Sequence, residues 1–244
     1  MTLATGTLER RLLYFITPSV GSKVSPSSLP TVVQRALRGG VEAVLWRQHP
    51  LKEELNEHPR VLKQWEERAK TPFLLPVAKQ VRDITNRFHA PLLVSDSTRL
   101  AEAIDADGLH VGQDDMEQSE VFLVREQREP RTVGVTVRNP EETRAACEAG
   151  AAYLAAGPVF PSTTQTEDPI KLEGLRACVD AAMPYGVPVI AVGGLSLGEG
   201  RISQCMDEGG ASGIAVGAAI SGVDDIEAAA AAFAHELDPF RHSE

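Results

Sequence analysis

Val187-Pro188-Val189-Ile190-Ala191-Val192-Gly193-Gly194 is a short apolar run stopped by two glycines, and Gly213-Ile214-Ala215-Val216-Gly217-Ala218-Ala219-Ile220 repeats the pattern. Each run reads as a strand, because it is short, rich in branched aliphatic residues and bounded by a turn-forming glycine. Neither alternates with polar residues, so neither offers a face to water. Strands apolar on both faces belong to a parallel sheet covered by helices.

The same unit recurs upstream. Strand candidates lie at 12–17, 43–46, 92–95, 108–111, 132–137 and 152–156, ahead of the two at 187–192 and 213–216. Helical patterns, with apolar residues three and four apart, fill the intervals at 29–38, 77–88, 98–104, 140–148, 172–182 and 226–237. Eight strands alternating with helices predict an α/β fold, a (β/α)8 barrel formed as a single domain over residues 1–244. The competing fold is an open doubly wound sheet. Its dinucleotide version carries GxGxxG after the first strand, whereas that loop here reads Thr17-Pro18-Ser19-Val20-Gly21-Ser22. The interval after the second strand is longer than one helix needs. A charged stretch at 52–70, holding Trp65, predicts a helical insertion over about residues 50–72, either outside the barrel or as a lid on its mouth.

The bulk figures fit this reading and narrow the function. The 244 residues are 43% hydrophobic and 24% charged, an ordinary globular mix with room for a large core. No run approaches the roughly 18 apolar residues of a membrane span, and residues 1–11 lack the charged start and apolar run of a signal peptide. A net charge of −10 argues against general nucleic-acid binding, which depends on Lys and Arg neutralising phosphates. It does not exclude a small phosphorylated ligand, since a few cations and backbone N–H groups can hold one. Cys147, Cys178 and Cys205 are odd in number and without CxxC spacing, as expected of free thiols in a cytoplasmic protein. Homo-oligomerisation stays open.

In this fold the chemistry gathers at the C-terminal ends of the strands, and the loops after strands seven and eight commonly bind phosphate. Gly193-Gly194 and Gly217-Ala218 stand at those two ends, where glycine lets the backbone come close to an anion; two ordinary tight turns would look the same. The other strand ends supply Arg47, Gln48 and His49, then Ser95 and Asp96, then Asp114 and Asp115. Strand five adds Thr136 and Arg138, and the strand-six loop adds Ser162, Thr163, Thr164 and Gln165. Carboxylates on neighbouring strands can share a hard cation such as Mg2+, with arginine and hydroxyls on the remaining phosphate oxygens. Plainer roles exist: Asp96 as a helix N-cap, Asp114-Asp115 as a solvated turn. His110, within an apolar strand, reads as a packed, hydrogen-bonded core residue.

Gly108-Leu109-His110-Val111-Gly112-Gln113-Asp114-Asp115-Met116 and Gly157-Pro158-Val159-Phe160-Pro161-Ser162-Thr163-Thr164, followed by Leu172-Glu173-Gly174-Leu175 and Ala191-Val192-Gly193-Gly194-Leu195, come in a telling order. With these stretches the chain resembles the thiamine-phosphate synthase and thiazole tautomerase family, from Leu13 to Ile220. The resemblance implies a transferase that joins hydroxymethylpyrimidine diphosphate to thiazole phosphate and releases pyrophosphate, with Mg2+ as cofactor. It assigns Asp96 and Asp115 to the metal, Arg47 and Thr136 to the diphosphate, and Ser162 and Thr164 to the strand-six hydroxyls. Gly194 with Gly217-Ala218 would take the thiazole phosphate.

Several positions depart from the family pattern. His49 and Gln165 stand where lysines are usual, Ser95 where asparagine is usual, and Ala218 where serine is common. Arg138 occupies a position often held by histidine, and it or Lys171 could replace the missing charge. The tautomerase branch needs no diphosphate and uses a histidine after strand five; here His49 would have to serve, because an arginine stays protonated. The branch also tends to lack the two aspartates that this chain keeps. A barrel that only binds a phosphorylated metabolite is the third reading.

Overall fold

A computed structural model describes residues 13–18, 25–47, 74–95, 97–112, 132–162 and 167–241. Eight parallel strands close into a barrel in sequence order: β1 (Leu13–Ile16), β2 (Ala43–Trp46), β3 (Leu92–Ser95), β4 (Gly108–Val111), β5 (Thr132–Val137), β6 (Tyr153–Ala156), β7 (Val189–Val192) and β8 (Gly213–Val216), with β8 pairing back to β1. This is the expected (β/α)8 fold, not the open sheet. The helices are α1 (Leu29–Arg38), α2 (Leu74–Phe88), α3 (Thr98–Ala103), α4 (Pro140–Ala149), α5 (Lys171–Ala182), α6 (Arg201–Ser203), α7 (Ala218–Ser221) and α8 (Ile226–Leu237). A π-helical turn, Gln204–Glu208, continues α6. The proposed insertion at 50–72 lies outside the described residues. Among the described residues no helix is long and apolar enough to cross a membrane.

Alternation along each strand makes two cores. Tyr14, Leu45, Leu93, Tyr153, Ile190 and Ala215 point inward and fill the barrel. Their neighbours Phe15, Val44, Val94, Leu154, Ala191 and Ile214 point outward, where the helices cover them. Both faces are therefore dry, which is why the strands read as unbroken apolar runs. In α1, Leu29, Val32, Val33, Ala36 and Leu37 are buried, the stripe a 3.6-residue repeat lays on one face.

Polar side chains pin the end of the barrel opposite the strand C-termini. Asp107 accepts from the Leu92 backbone N–H at 2.8 Å and takes both terminal nitrogens of Arg82, at 2.5 and 3.3 Å. Glu42 accepts from the Leu13 N–H at 3.1 Å and pairs with Arg241. Cys147, Cys178 and Cys205 are buried and free.

Candidate active site

Parallel strands bring all eight C-terminal ends to one rim. On that rim a cavity of about 210 Å³, bordered by Ile16 of β1, gathers Arg47 after β2, Ser162 after β6, Gly193 and Gly194 after β7, and Gly217 and Ala218 after β8. These six positions were all expected from the strand-end rule. Arg47 is set by its backbone, since its N–H donates to the Thr17 hydroxyl at 3.0 Å and its carbonyl accepts from the same hydroxyl at 3.3 Å. That reciprocal pair ties the end of β2 to the end of β1.

The β6 loop is docked on the β7 glycines. Val159 N–H donates to Val192 O at 2.8 Å, and Phe160 N–H to Gly193 O at 3.2 Å. Gly194 has φ +66°, and a Cβ there would lie 2.5 Å from Pro161 O and 2.6 Å from Phe160 O. Only glycine fits between the two loops in that conformation. The backbone of α7 then begins directly behind Gly217, at the edge of the same cavity.

A second polar cluster lies on the inner wall. Ser95, His110, Gly134 and Tyr153 form one register row across β3, β4, β5 and β6. Gly134 carries no side chain, and the Tyr153 ring occupies that space, so its hydroxyl reaches His110 Nδ1 at 2.8 Å. Nε2 of His110 meets the Thr136 hydroxyl at 2.9 Å. His110 is thus the packed, hydrogen-bonded residue the sequence suggested, and it is also joined to a candidate site residue. Burial, with Tyr14 stacked at 5.5 Å as a lesser cause, holds the Tyr153 hydroxyl protonated far above its ordinary range.

Arg138 projects from the rim, half-exposed, with its guanidinium 3.5 Å from Glu167. Its backbone N–H donates to Glu142, which also accepts from the Asn139 side-chain amide, while the Glu142 N–H donates to Asn139 Oδ1, the N-cap of α4. Lys171 opens α5 with φ +60°, an uncommon conformation outside glycine. At α3 the capping side chain is Ser97, which accepts from Leu100 N–H at 3.3 Å, so the cap role suggested for Asp96 belongs to its neighbour. His49, Asp96, Asp115, Thr163, Thr164 and Gln165 lie outside the described residues. Among the described residues no group of three or more His, Cys, Asp or Glu is placed to hold a metal.

One wall residue was not anticipated. Arg201, at the start of α6, lines the cavity, donates to Gly194 O at 2.5 Å and pairs with Glu199 at 2.6 Å. Nothing in helical or strand periodicity marks a side chain that reaches back from a βα segment. The flanking Gly198 and Gly200, both at positive φ, are the sequence sign that this segment turns sharply.

Residues 13–220 match the family model described as thiamine monophosphate synthase. The chain is 35% identical over 239 residues to the thiamine-phosphate synthase of Geobacillus kaustophilus, covering 96% of each chain. It is 36% identical over 201 residues to that of Chloroflexus aurantiacus, covering 82% of this chain and 81% of the other. Among solved structures it is similar to the thiamine phosphate pyrophosphorylase of Pyrococcus furiosus, with a TM-score of 0.71 and 26% identity, over 97% of this chain and 100% of that one.

Proposed function

The chain belongs to the thiamine monophosphate synthase family, and on that premise we propose that it joins hydroxymethylpyrimidine diphosphate to thiazole phosphate at the barrel mouth, releasing pyrophosphate. The observation that carries the assignment to this mouth is the cavity where Arg47, Ser162 and the two glycine turns meet. A cation after β2 and a hydroxyl after β6, with the glycine backbone of the β7 and β8 ends between them, suit phosphate-bearing substrates.

The bond from the pyrimidine methylene to the diphosphate oxygen breaks, its electron pair leaves with pyrophosphate, and the thiazole nitrogen supplies the pair for the new C–N bond. Charge therefore builds on the leaving oxygens, and donors fixed before the reaction lower the barrier most. Arg47, Thr136 and Ser162 take that role, with Thr163, Thr164 and Gln165 completing the β6 side. Gly193, Gly194, Gly217 and Ala218 hold the thiazole phosphate through backbone N–H groups, and Ser95 borders the pyrimidine.

The donor chemistry suits Mg2+. Asp96 and Asp115 follow β3 and β4, which are paired neighbours, and carboxylates are the hard oxygen ligands that the ion prefers. Bound there, the ion would neutralise charge on the departing pyrophosphate. Arg138 would add positive charge at the rim, although Glu167 faces it; as a guanidinium it is unsuited to shuttling the proton that a tautomerase must move. His49 belongs to the β2 end, close in sequence to Arg47. The phosphorylated pyrimidine and thiazole, and the three buried free thiols, fit a cytoplasmic enzyme with no nucleic-acid or membrane partner.

The test is turnover by the full chain with both substrates, with and without Mg2+. Metal-dependent thiamine phosphate is expected, and Asp96→Ala or Asp115→Ala should abolish it while leaving the fold intact. No product, with phosphate binding retained, would transfer the assignment to a tautomerase acting through His49 or to a phosphate-binding barrel.

A further inference from the structure

The geometry points to Arg201 as the side chain that binds the phosphate of the thiazole substrate and makes the mouth select for phosphorylated ligands; the identity of that substrate, though not the anion site itself, rests on the synthase reading above. Gly193, Gly194, Gly217 and Ala218 offer only backbone to an anion. Among the described residues the cations lining the cavity are Arg47, after β2, and Arg201, after β7.

Three contacts fix the Arg201 guanidinium. One terminal nitrogen donates to Gly194 O at 2.5 Å, the other meets Glu199 at 2.6 Å, and the carbon between them lies 5.0 Å from the centre of the Phe160 ring. Glycine turn, mouth loop and β6 loop therefore hold one group in place. A guanidinium has five N–H donors, and these contacts use two, leaving three for a ligand. The Gly194 carbonyl is turned to Arg201, so the arginine also fixes the turn whose N–H groups border the phosphate. Arg201 is 28% exposed and its partner Glu199 58%, so the carboxylate sits on the solvent side and the cation faces the cavity.

The chain around Arg201 is also irregular. After three residues of α6 it enters a π-helical turn, with Gly209 N–H donating to Gln204 O at 2.9 Å. Such a turn accommodates an extra residue, and these insertions concentrate at functional positions.

Titrations of inorganic phosphate, thiazole phosphate and the unphosphorylated thiazole alcohol into wild type and Arg201→Met test the assignment. Phosphate and thiazole phosphate should bind about ten- to hundred-fold more weakly to the variant, with the alcohol unchanged and Arg201→Lys intermediate. In turnover, KM for thiazole phosphate should rise while KM for the pyrimidine diphosphate holds. Equal loss for both thiazoles would show that Arg201 only braces the glycine turn, and no loss would remove it from the site; either result overturns the proposal. Phenylglyoxal labelling of the wild-type chain needs no variant: inorganic phosphate should protect Arg201 and leave exposed Arg144 reactive, and an unprotected Arg201 would refute the assignment. Wild type that binds phosphate through Arg201 but makes no thiamine phosphate would sink the synthase reading and leave this site standing. Turnover with phosphate binding untouched in Arg201→Met would do the reverse.

Discussion

The hydroxyl of Thr136 lies 2.9 Å from Nε2 of His110, at the inner wall of the barrel where β4 and β5 run side by side. The opposite ring nitrogen meets the buried Tyr153 hydroxyl. Among the described residues that hydroxyl has no other hydrogen-bond partner, and burial keeps it protonated. Donation from Tyr153 to Nδ1 leaves no buried proton unpaired. It also places the ring proton on Nε2, where it donates to the Thr136 hydroxyl.

Tyr153→Phe should therefore act through Thr136. We expect kcat to fall about three- to ten-fold, as for a lost neutral hydrogen bond of about 1 kcal/mol, with KM values little changed. Nitrogen NMR of His110 should show the Nε2–H tautomer in wild type and a mixture in the variant. An unchanged tautomer with unchanged kcat would make the tyrosine a packing residue only.

Gly194→Ala tests the seat of the phosphate turn. The position needs φ +66°, and the new methyl would press on the Phe160 and Pro161 carbonyl oxygens. Overpacking of this kind costs about 1–3 kcal/mol, and the β6 loop must move to relieve it. The midpoint of urea unfolding should drop, and phosphate affinity should fall with it. A variant with wild-type midpoint and affinity would show that the two loops are not held together as described.

Much of this arrangement was legible in the sequence, and the misses have physical causes. Every strand was found, because short runs buried on both faces stay mostly apolar, with few polar positions such as His110 and Thr136 to blur them. The expected strand at 187–192 begins at Val189 instead, since Pro188 has no N–H for the ladder, though its carbonyl still accepts from Leu154 at 2.9 Å. The helix expected at 77–88 starts earlier, at Leu74, because Pro76 falls in its first turn, where an N–H has no partner to lose. Arg47, Ser162 and the glycine turns were found from strand ends alone. The link from His110 to Thr136 was not, because it depends on the register that sets Tyr153 over Gly134. Arg201 escaped for a similar reason: its role comes from an irregular turn that folds it back onto Gly194 and over the ring of Phe160, 41 residues earlier.

Asp107→Asn tests the closed end of the barrel. The carboxylate joins Arg82 of α2 to the first N–H of β3, and both charged side chains are mostly shielded, at 16% and 20% exposure. The amide keeps the shape but leaves Arg82 without its counter-charge. A loss of about 2–3 kcal/mol is expected, with kcat unaffected because the site lies at the other end. Stability within about 0.5 kcal/mol of wild type would reduce the pair to a surface contact.

Cys205 gives the pH prediction. It is fully buried in the π-helical turn, and burial pushes its thiol from the ordinary 9.0 up to about 12. The folded chain keeps this proton over a range in which the unfolded chain has lost it. The stabilisation is therefore complete below pH 9 and is lost as the pH climbs to about 12. Cys147, Cys178, Tyr14 and Tyr153 are raised as well, all mainly by burial, so alkaline sensitivity alone does not isolate one group. The difference between wild type and Cys205→Ala does, because the other groups cancel. Unfolding free energies measured from pH 8 to 11 should converge above pH 9, with a relative slope of about 1.4 kcal/mol per pH unit, the value of one proton. Parallel curves would mean that water reaches this thiol in the folded protein, and the packing under α6 would have to be looser than described.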